Sequence, residues 1–150
     1  MVARQNRIAW VLLSFERKPL RGTRMKQVID IGLPPLKQPF SWAVKASGSM
    51  VFTAHGPVRK DGTIDTGSIE TQARLTFQNL EMAMTAAGGT LADVCQVLIY
   101  MTDVKDMPAI DAVYREFFSA PYPNRSSAAV AALVVSGMKL EIVAYAMVTP

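Results

Sequence analysis

One carboxylate stands where the surrounding sequence has no use for charge. In KLEIVAYAMV one alternating face reads Leu140, Ile142, Ala144, Ala146 and Val148, and the other reads Glu141, Val143, Tyr145 and Met147. Both faces of the implied strand are apolar except at Glu141. A carboxylate buried there is costly unless it is paired, or it keeps its proton through a raised pKa. Such a group suits general acid–base chemistry; a strand end at which Glu141 reaches solvent is the alternative. Arg125 opens a neighbouring strand after Pro123-Asn124 and is followed by the small residues Ser126 to Ala129. An arginine at the mouth of a sheet can grip a carboxylate through two parallel N–H bonds, although a plain surface arginine would also read this way. Thr53 offers a hydroxyl at a strand end, where threonine is also a common strand former. His55, beside Gly56-Pro57, reads as a solvated turn residue, with a proton carrier as the alternative. Cys95, inside an apolar run with no basic neighbour in sequence, reads as an inert core thiol. A single cysteine and a single histidine exclude an intrachain disulfide, a Cys-based zinc site and paired-His metal motifs. No Walker loop, GxGxxG, HExxH or GxSxG occurs, and neither a metal nor a cofactor is expected.

These residues need elements to hold them. Apolar residues at Ile69, Ala73, Phe77, Leu80, Met84 and Ala87 keep to one face only in a helix, with Ser68 as its N-cap and Gly88-Gly89 as its stop. Asp106 can cap a second helix that has Pro108 in its first turn and a buried stripe of Ile110, Val113, Tyr114 and Phe117; Pro121-Tyr122-Pro123 ends it. Strands are expected at Gln27–Ile31, at Ser41–Ala46 and Ser49–Ala54 around a Ser47-Gly48 turn, and at Val94–Thr102, which reads as covered on both faces. Ser126–Val134 and Lys139–Val148 complete the set around a Ser136-Gly137 turn. Asp61-Gly62 marks a further turn. The order implies an α+β fold, a mixed β-sheet with two helices packed on one face.

Composition bounds the rest. A chain of 150 residues, half of them hydrophobic and 19% charged, is one folded unit and not a disordered or linker protein. Its net charge of +4 is concentrated in residues 1–24, which hold six bases against one acid. The remaining residues hold ten bases against eleven acids, a net −1, so the body offers no basic excess for phosphate contacts, and no nucleic-acid partner is expected. Ile8 to Phe15 is far shorter than the ~20 apolar residues of a membrane span, and no membrane partner is expected. Residues 1–24 are therefore set apart as a basic N-terminal extension, flexible or not native, with Met25 as the natural start; an Arg-rich transit peptide is the alternative. Residues 25–150 form the single domain. Low charge with high apolar content implies a permanent interface between copies, and the cysteine usage a reducing, cytoplasmic setting.

The segments PFSWAV, TAHGP, AAGG, DVCQVLIYMTDV, VYREFF, YPNRSS and KLEIVAYA, in that order, resemble the Rid (YjgF) family of reactive-intermediate deaminases over about Ile31 to Val148. The resemblance implies a chorismate-mutase-like fold and a homotrimer with active sites between subunits. It also implies cofactor-free hydrolysis of enamines and imines, such as 2-aminoacrylate, to 2-oxo acids and ammonia. The family's substrate arginine falls on Arg125, the glutamate of its EIxxIA strand on Glu141, and the serine, glycine and glutamine of its SGQxP loop on Thr53, Ala54 and His55. Its PY tyrosine becomes Phe40, its cysteine two residues after the arginine becomes Ser127, and the asparagine of its second helix becomes Asp111.

On this reading Arg125 holds the substrate carboxylate, with Phe40, Ala54 and Ser127 around it, while Glu141 and Thr53 activate a water and return a proton to the departing amine. His55 and Asp111 are further candidates. Two other readings stand beside it. One is a small-carboxylate-binding or regulatory module in which Phe40 and Asp111 have replaced catalytic capacity. The other is a deaminase of a larger aminated acid, with its specificity widened by Phe40 and His55.

Overall fold

The computed structural model describes residues 26–34, 42–46 and 50–148. The basic extension, Phe40 and the Ser47-Gly48 turn lie outside the described residues. The elements run β1 (Lys26–Val28), β2 (Ala43–Ala46), β3 (Met50–His55), α1 (Ile69–Ala86), β4 (Val94–Met101), α2 (Met107–Phe117), β5 (Asn124–Ala129) and β6 (Leu140–Met147). Short 3₁₀ turns at Leu91–Asp93 and Val104–Asp106 precede β4 and α2.

The strands form one mixed sheet in the order β1-β2-β3-β6-β4-β5. Only β4 and β5 run parallel, and a parallel pair needs a crossover, which α2 supplies. The last strand in sequence, β6, sits centrally between β3 and β4, so Glu141 is carried into the middle of the sheet.

Helix α1 forms where its signals coincide. Ser68 is extended and its side chain accepts from the Thr71 N–H at 3.4 Å. At the other end Gly88 takes φ +84°, which lets its N–H reach Thr85 O and the Gly89 N–H reach Met84 O. The first turn of α2 holds Pro108, as expected, but the Asp106 side chain makes no cap bond. Asp103 acts one turn earlier instead, accepting from the Lys105 N–H at 2.9 Å and capping the 3₁₀ turn that leads into the helix.

Both helices cover one face of the sheet. Phe77, Leu80 and Met84 of α1 and Ile110 of α2 are fully buried against Val51, Val97, Ile99, Leu140 and Ile142. Aromatic rings close the helix–helix seam, with Phe77 edge-on to Tyr114 at 5.5 Å and to Phe118 at 6.1 Å. A smaller cluster of Ile29, Ile31, Leu33, Ala43, Val58 and Ala83 closes the N-terminal side.

Three expectations change. Strand β4 is covered on one face only: Val97, Ile99 and Met101 are buried, whereas Gln96, Leu98 and Tyr100 are half-buried. Cys95 is exposed, not a core thiol. The β4–β6 register slips between Val94 and Gln96, so Val94 and Val97 both turn inward and Cys95 is the extra residue left out. Strand β5 ends at Ala129, short of Val134, because its partner β4 ends at Met101. The Val130 N–H donates to Met101 O, and the chain then leaves the sheet.

Candidate active site

Strand alternation sorts the candidate residues onto two faces. Inward, toward the helices, point Val51, Thr53 and His55 of β3 and Leu140, Ile142 and Ala144 of β6. On the open face lie Met50, Phe52 and Ala54 of β3, opposite Met147, Tyr145 and Val143 of β6, with Glu141 next along the strand across from Tyr100 of β4. Glu141 is half-buried there and has no hydrogen bond or ion pair among the described residues. Loss of hydration raises its carboxyl pKa above the ordinary 4.5. Ala54 shares this face.

Two buried amides of α1 fix the strand ends around Glu141. Asn79 Nδ2 donates to Gly56 O at 3.1 Å and to Val58 O at 2.9 Å, pinning the chain where β3 ends. Gln72 Nε2 donates to Gly137 O at 2.9 Å, and its Oε1 accepts from the Lys139 N–H at 2.8 Å, pinning the chain where β6 begins. Each amide pairs backbone groups that the apolar core could not satisfy.

Arg125 belongs to the opposite side. It lies beside Val97 in the parallel β4–β5 ladder and therefore points toward the helix layer, at the edge of the sheet. There its Nη1 donates to Asp111 Oδ1 at 2.6 Å, and its Cζ sits 4.9 Å from the centre of the Tyr114 ring. Asp111 and Tyr114 are three residues apart on α2, so both project from one helix face. Tyr114 is stacked on Phe118 at 4.4 Å, and burial pushes its hydroxyl pKa up to about 12, so the ring stays neutral under the cation. Arg115 Nη1 donates to Asp111 O at 3.1 Å. Asp111, Tyr114, Arg115, Tyr122, Pro123 and Arg125 line a cavity of about 350 Å³. Among the described residues Nη1 is the only hydrogen-bonded nitrogen of Arg125, which leaves the Nε/Nη2 edge free for a planar anion. Ser127, two residues on, points the same way and is exposed.

The candidates thus fall into two half-sites: Glu141 with Ala54 on the open face, and Arg125 with Asp111 and Ser127 at the edge. Within one chain the structure does not bring them together. Glu141 and Arg125 are two strands and three residues apart in register, about 14 Å between Cα atoms at ordinary sheet spacings, and on opposite faces. Thr53 is not beside Glu141 either. It is on the covered face, with its hydroxyl donating to Ala144 O at 3.4 Å, so the expectation that it shares a water with Glu141 is corrected. His55 is not a solvated turn residue. It is 1% exposed, neither ring nitrogen has a partner among the described residues, and desolvation lowers its pKa to about 3. The inward face of β3 extends one residue further than the sequence implied and takes His55 with it.

Sequence reasoning missed Tyr114 as the platform under Arg125, and Gln72 and Asn79 as anchors. The spacing of Asp111 and Tyr114 could have shown the first. Amides at inward positions of a helix whose buried stripe is mostly apolar could have shown the second. Among the described residues no group of three or more His, Cys, Asp or Glu could hold a metal ion, and no helix is long and apolar enough to cross a membrane.

The sequence profile described as Endoribonuclease L-PSP matches residues 33–148. Protein mmf2, mitochondrial, of Schizosaccharomyces pombe is 37% identical over 106 residues, covering 69% of this chain and 83% of that protein. The 2-iminobutanoate/2-iminopropanoate deaminase of Dermatophagoides farinae is 33% identical over 110 residues, covering 72% and 86%. The crystal structure of Escherichia coli TdcF with bound serine superimposes with a TM-score of 0.74 at 35% identity, over 82% of this chain and 99% of that one.

Proposed function

Since the chain belongs to the Endoribonuclease L-PSP family, the Rid (YjgF) proteins, we propose that it hydrolyses small carboxylate-bearing imines and enamines to 2-oxo acids and ammonia. The observation that carries this reading is the guanidinium of Arg125, clamped between Asp111 and the Tyr114 ring at the wall of a 350 Å³ cavity with its Nε/Nη2 edge free. A fork so fixed loses little entropy when it takes a carboxylate bidentately, and it sets the plane of the attached C=N group.

Glu141 supplies the proton relay. As a carboxylate it takes a proton from water attacking the imine carbon; as the acid it returns that proton to the leaving nitrogen. Burial raises its pKa above the ordinary carboxylate value, the direction that makes the carboxylate a stronger base toward water. A protonated imine is already electrophilic, so positioning and one relay are the protein's share, the relay alone contributing about 10²–10⁴-fold. Ala54 forms the floor beside Glu141.

The two half-sites lie on opposite faces, so the working site joins Arg125 of one copy to Glu141 of another. The open face fits such an assembly: Met50, Phe52 and Met147 are 41%, 39% and 51% exposed, and a monomer has little reason to show them together. A homotrimer with three sites between subunits satisfies this arrangement. RNA cleavage, which the family's description names, is the less favoured reading. Residues 25–150 carry a net −1, and their one histidine is sealed in the core. An exposed free thiol at Cys95 suits a reducing compartment such as the cytoplasm.

The test is direct. With 2-aminoacrylate generated in situ, the protein should speed release of the 2-oxo acid, and Arg125→Ala should raise KM at least tenfold. Release at the rate of buffer, or unchanged by the substitution, rejects the reading.

A further inference from the structure

The cavity beside Arg125 holds a charge that carboxylate binding alone does not call for. Asp111 Oδ1 lies 2.6 Å from Nη1, with the two side chains 28% and 31% exposed. A site built only to attract an anion is weakened by a carboxylate at this distance, because Asp111 cancels much of the field of Arg125 and repels the same ligand. The position is not incidental. Asp111 is set on α2, its backbone oxygen is held by Arg115, and its side chain lines the cavity together with Arg125. Its one contact with Arg125 uses Nη1 and leaves the opposite edge of the fork open.

A fixed cation and a fixed anion side by side are complementary to a ligand that carries both charges on neighbouring groups. We propose that Asp111 makes this cavity a zwitterion site. The ligand's carboxylate lies on the free edge of Arg125, and the neighbouring cationic nitrogen, iminium or ammonium, is paired with Asp111. The inference rests on Arg125 being the carboxylate anchor. It adds a specificity residue and a direction: the charged-nitrogen substrate binds more tightly than the 2-oxo acid left after hydrolysis, so the product is expelled. In a 2-oxo acid a carbonyl oxygen replaces the nitrogen, and that oxygen faces the Asp111 carboxylate with no proton between them.

The experiment compares a matched pair of three-carbon probes, alanine and pyruvate, by titration calorimetry on the oligomer as isolated, for the wild type, Asp111→Asn and Arg125→Ala. The wild type should bind alanine at least about tenfold more tightly than pyruvate, and Asp111→Asn should lose about tenfold for alanine while gaining for pyruvate. Asparagine can still accept from Nη1, so a role limited to holding Arg125 would leave the ratio of the two affinities unchanged. An unchanged ratio, or a wild type that prefers pyruvate, overturns the proposal while Arg125→Ala still abolishes both signals. If Arg125→Ala leaves binding of both probes intact, or the wild type binds neither, the anchor itself is wrong and the proposal falls with it.

Discussion

His55 and Glu141 show how one sheet treats two titratable groups in opposite ways. His55 faces inward, has no partner for either nitrogen among the described residues, and is held neutral by burial, with its pKa lowered from 6.5 to about 3. Below pH 6.5 the unfolded chain therefore binds a proton that the folded chain refuses, so stability falls as pH drops from 6.5 toward 3. We expect the denaturation midpoint of the wild type to decline between pH 6.5 and 4.5, and His55→Leu, which cannot titrate, to flatten that decline whatever its absolute stability. Equal slopes in the two proteins would show that His55 is paired in solution. Glu141 faces outward, so its raised pKa leaves a group that can exchange protons with a substrate. The sequence exposed the oddity of Glu141 because an acid among apolar residues on both faces has no packing role. It did not expose the burial of His55, because the loop-like Gly56-Pro57 that follows hides the last inward position of β3.

At the scale of elements, α1 fixes the strand ends around Glu141. Its inward stripe is apolar except for Thr76 and the two amides that tie down the ends of β3 and β6. Replacing Asn79 by leucine, which keeps the branching and the number of side-chain heavy atoms, strands the carbonyls of Gly56 and Val58 and should cost about 1–3 kcal/mol for each left unpaired. Chemical denaturation would read this directly, with Glu81→Ala on the exposed side of the same helix expected within about 0.5 kcal/mol of wild type. A midpoint unmoved by Asn79→Leu would mean that water takes over both carbonyls. The helix itself was legible in the sequence because cap, spacing and glycine stop agree. The slip at Cys95 and the early end of β5 were not. A short apolar run carries no information about register, and the length of an edge strand is set by the partner on which it pairs. Arg125 was legible as a candidate anchor, but its contacts with Asp111 and Tyr114 depend on the crossover of α2 over the β4–β5 edge.

At the scale of the whole molecule, the sheet has one face sealed by helices and one face left apolar and open. The open face carries Glu141, and the far edge, on the other side, carries Arg125. Strand β5 is exposed along its length, and Val134 beyond it is 90% exposed. Under the proposed function, a second copy that covers this surface would also bring the missing half of each site, so assembly and activity would be one event. The measurement that tests this most directly is subunit complementation. Assayed with substrate well below KM, Arg125→Ala and Glu141→Gln should each be nearly inactive alone. If the two are unfolded together and refolded in equal amounts, about one quarter of the sites will unite an intact Arg125 with an intact Glu141 from a different copy. About one quarter of wild-type imine hydrolysis should return. Activity no higher than that of the two parents would contradict it, because a site made within one chain gains nothing from mixing.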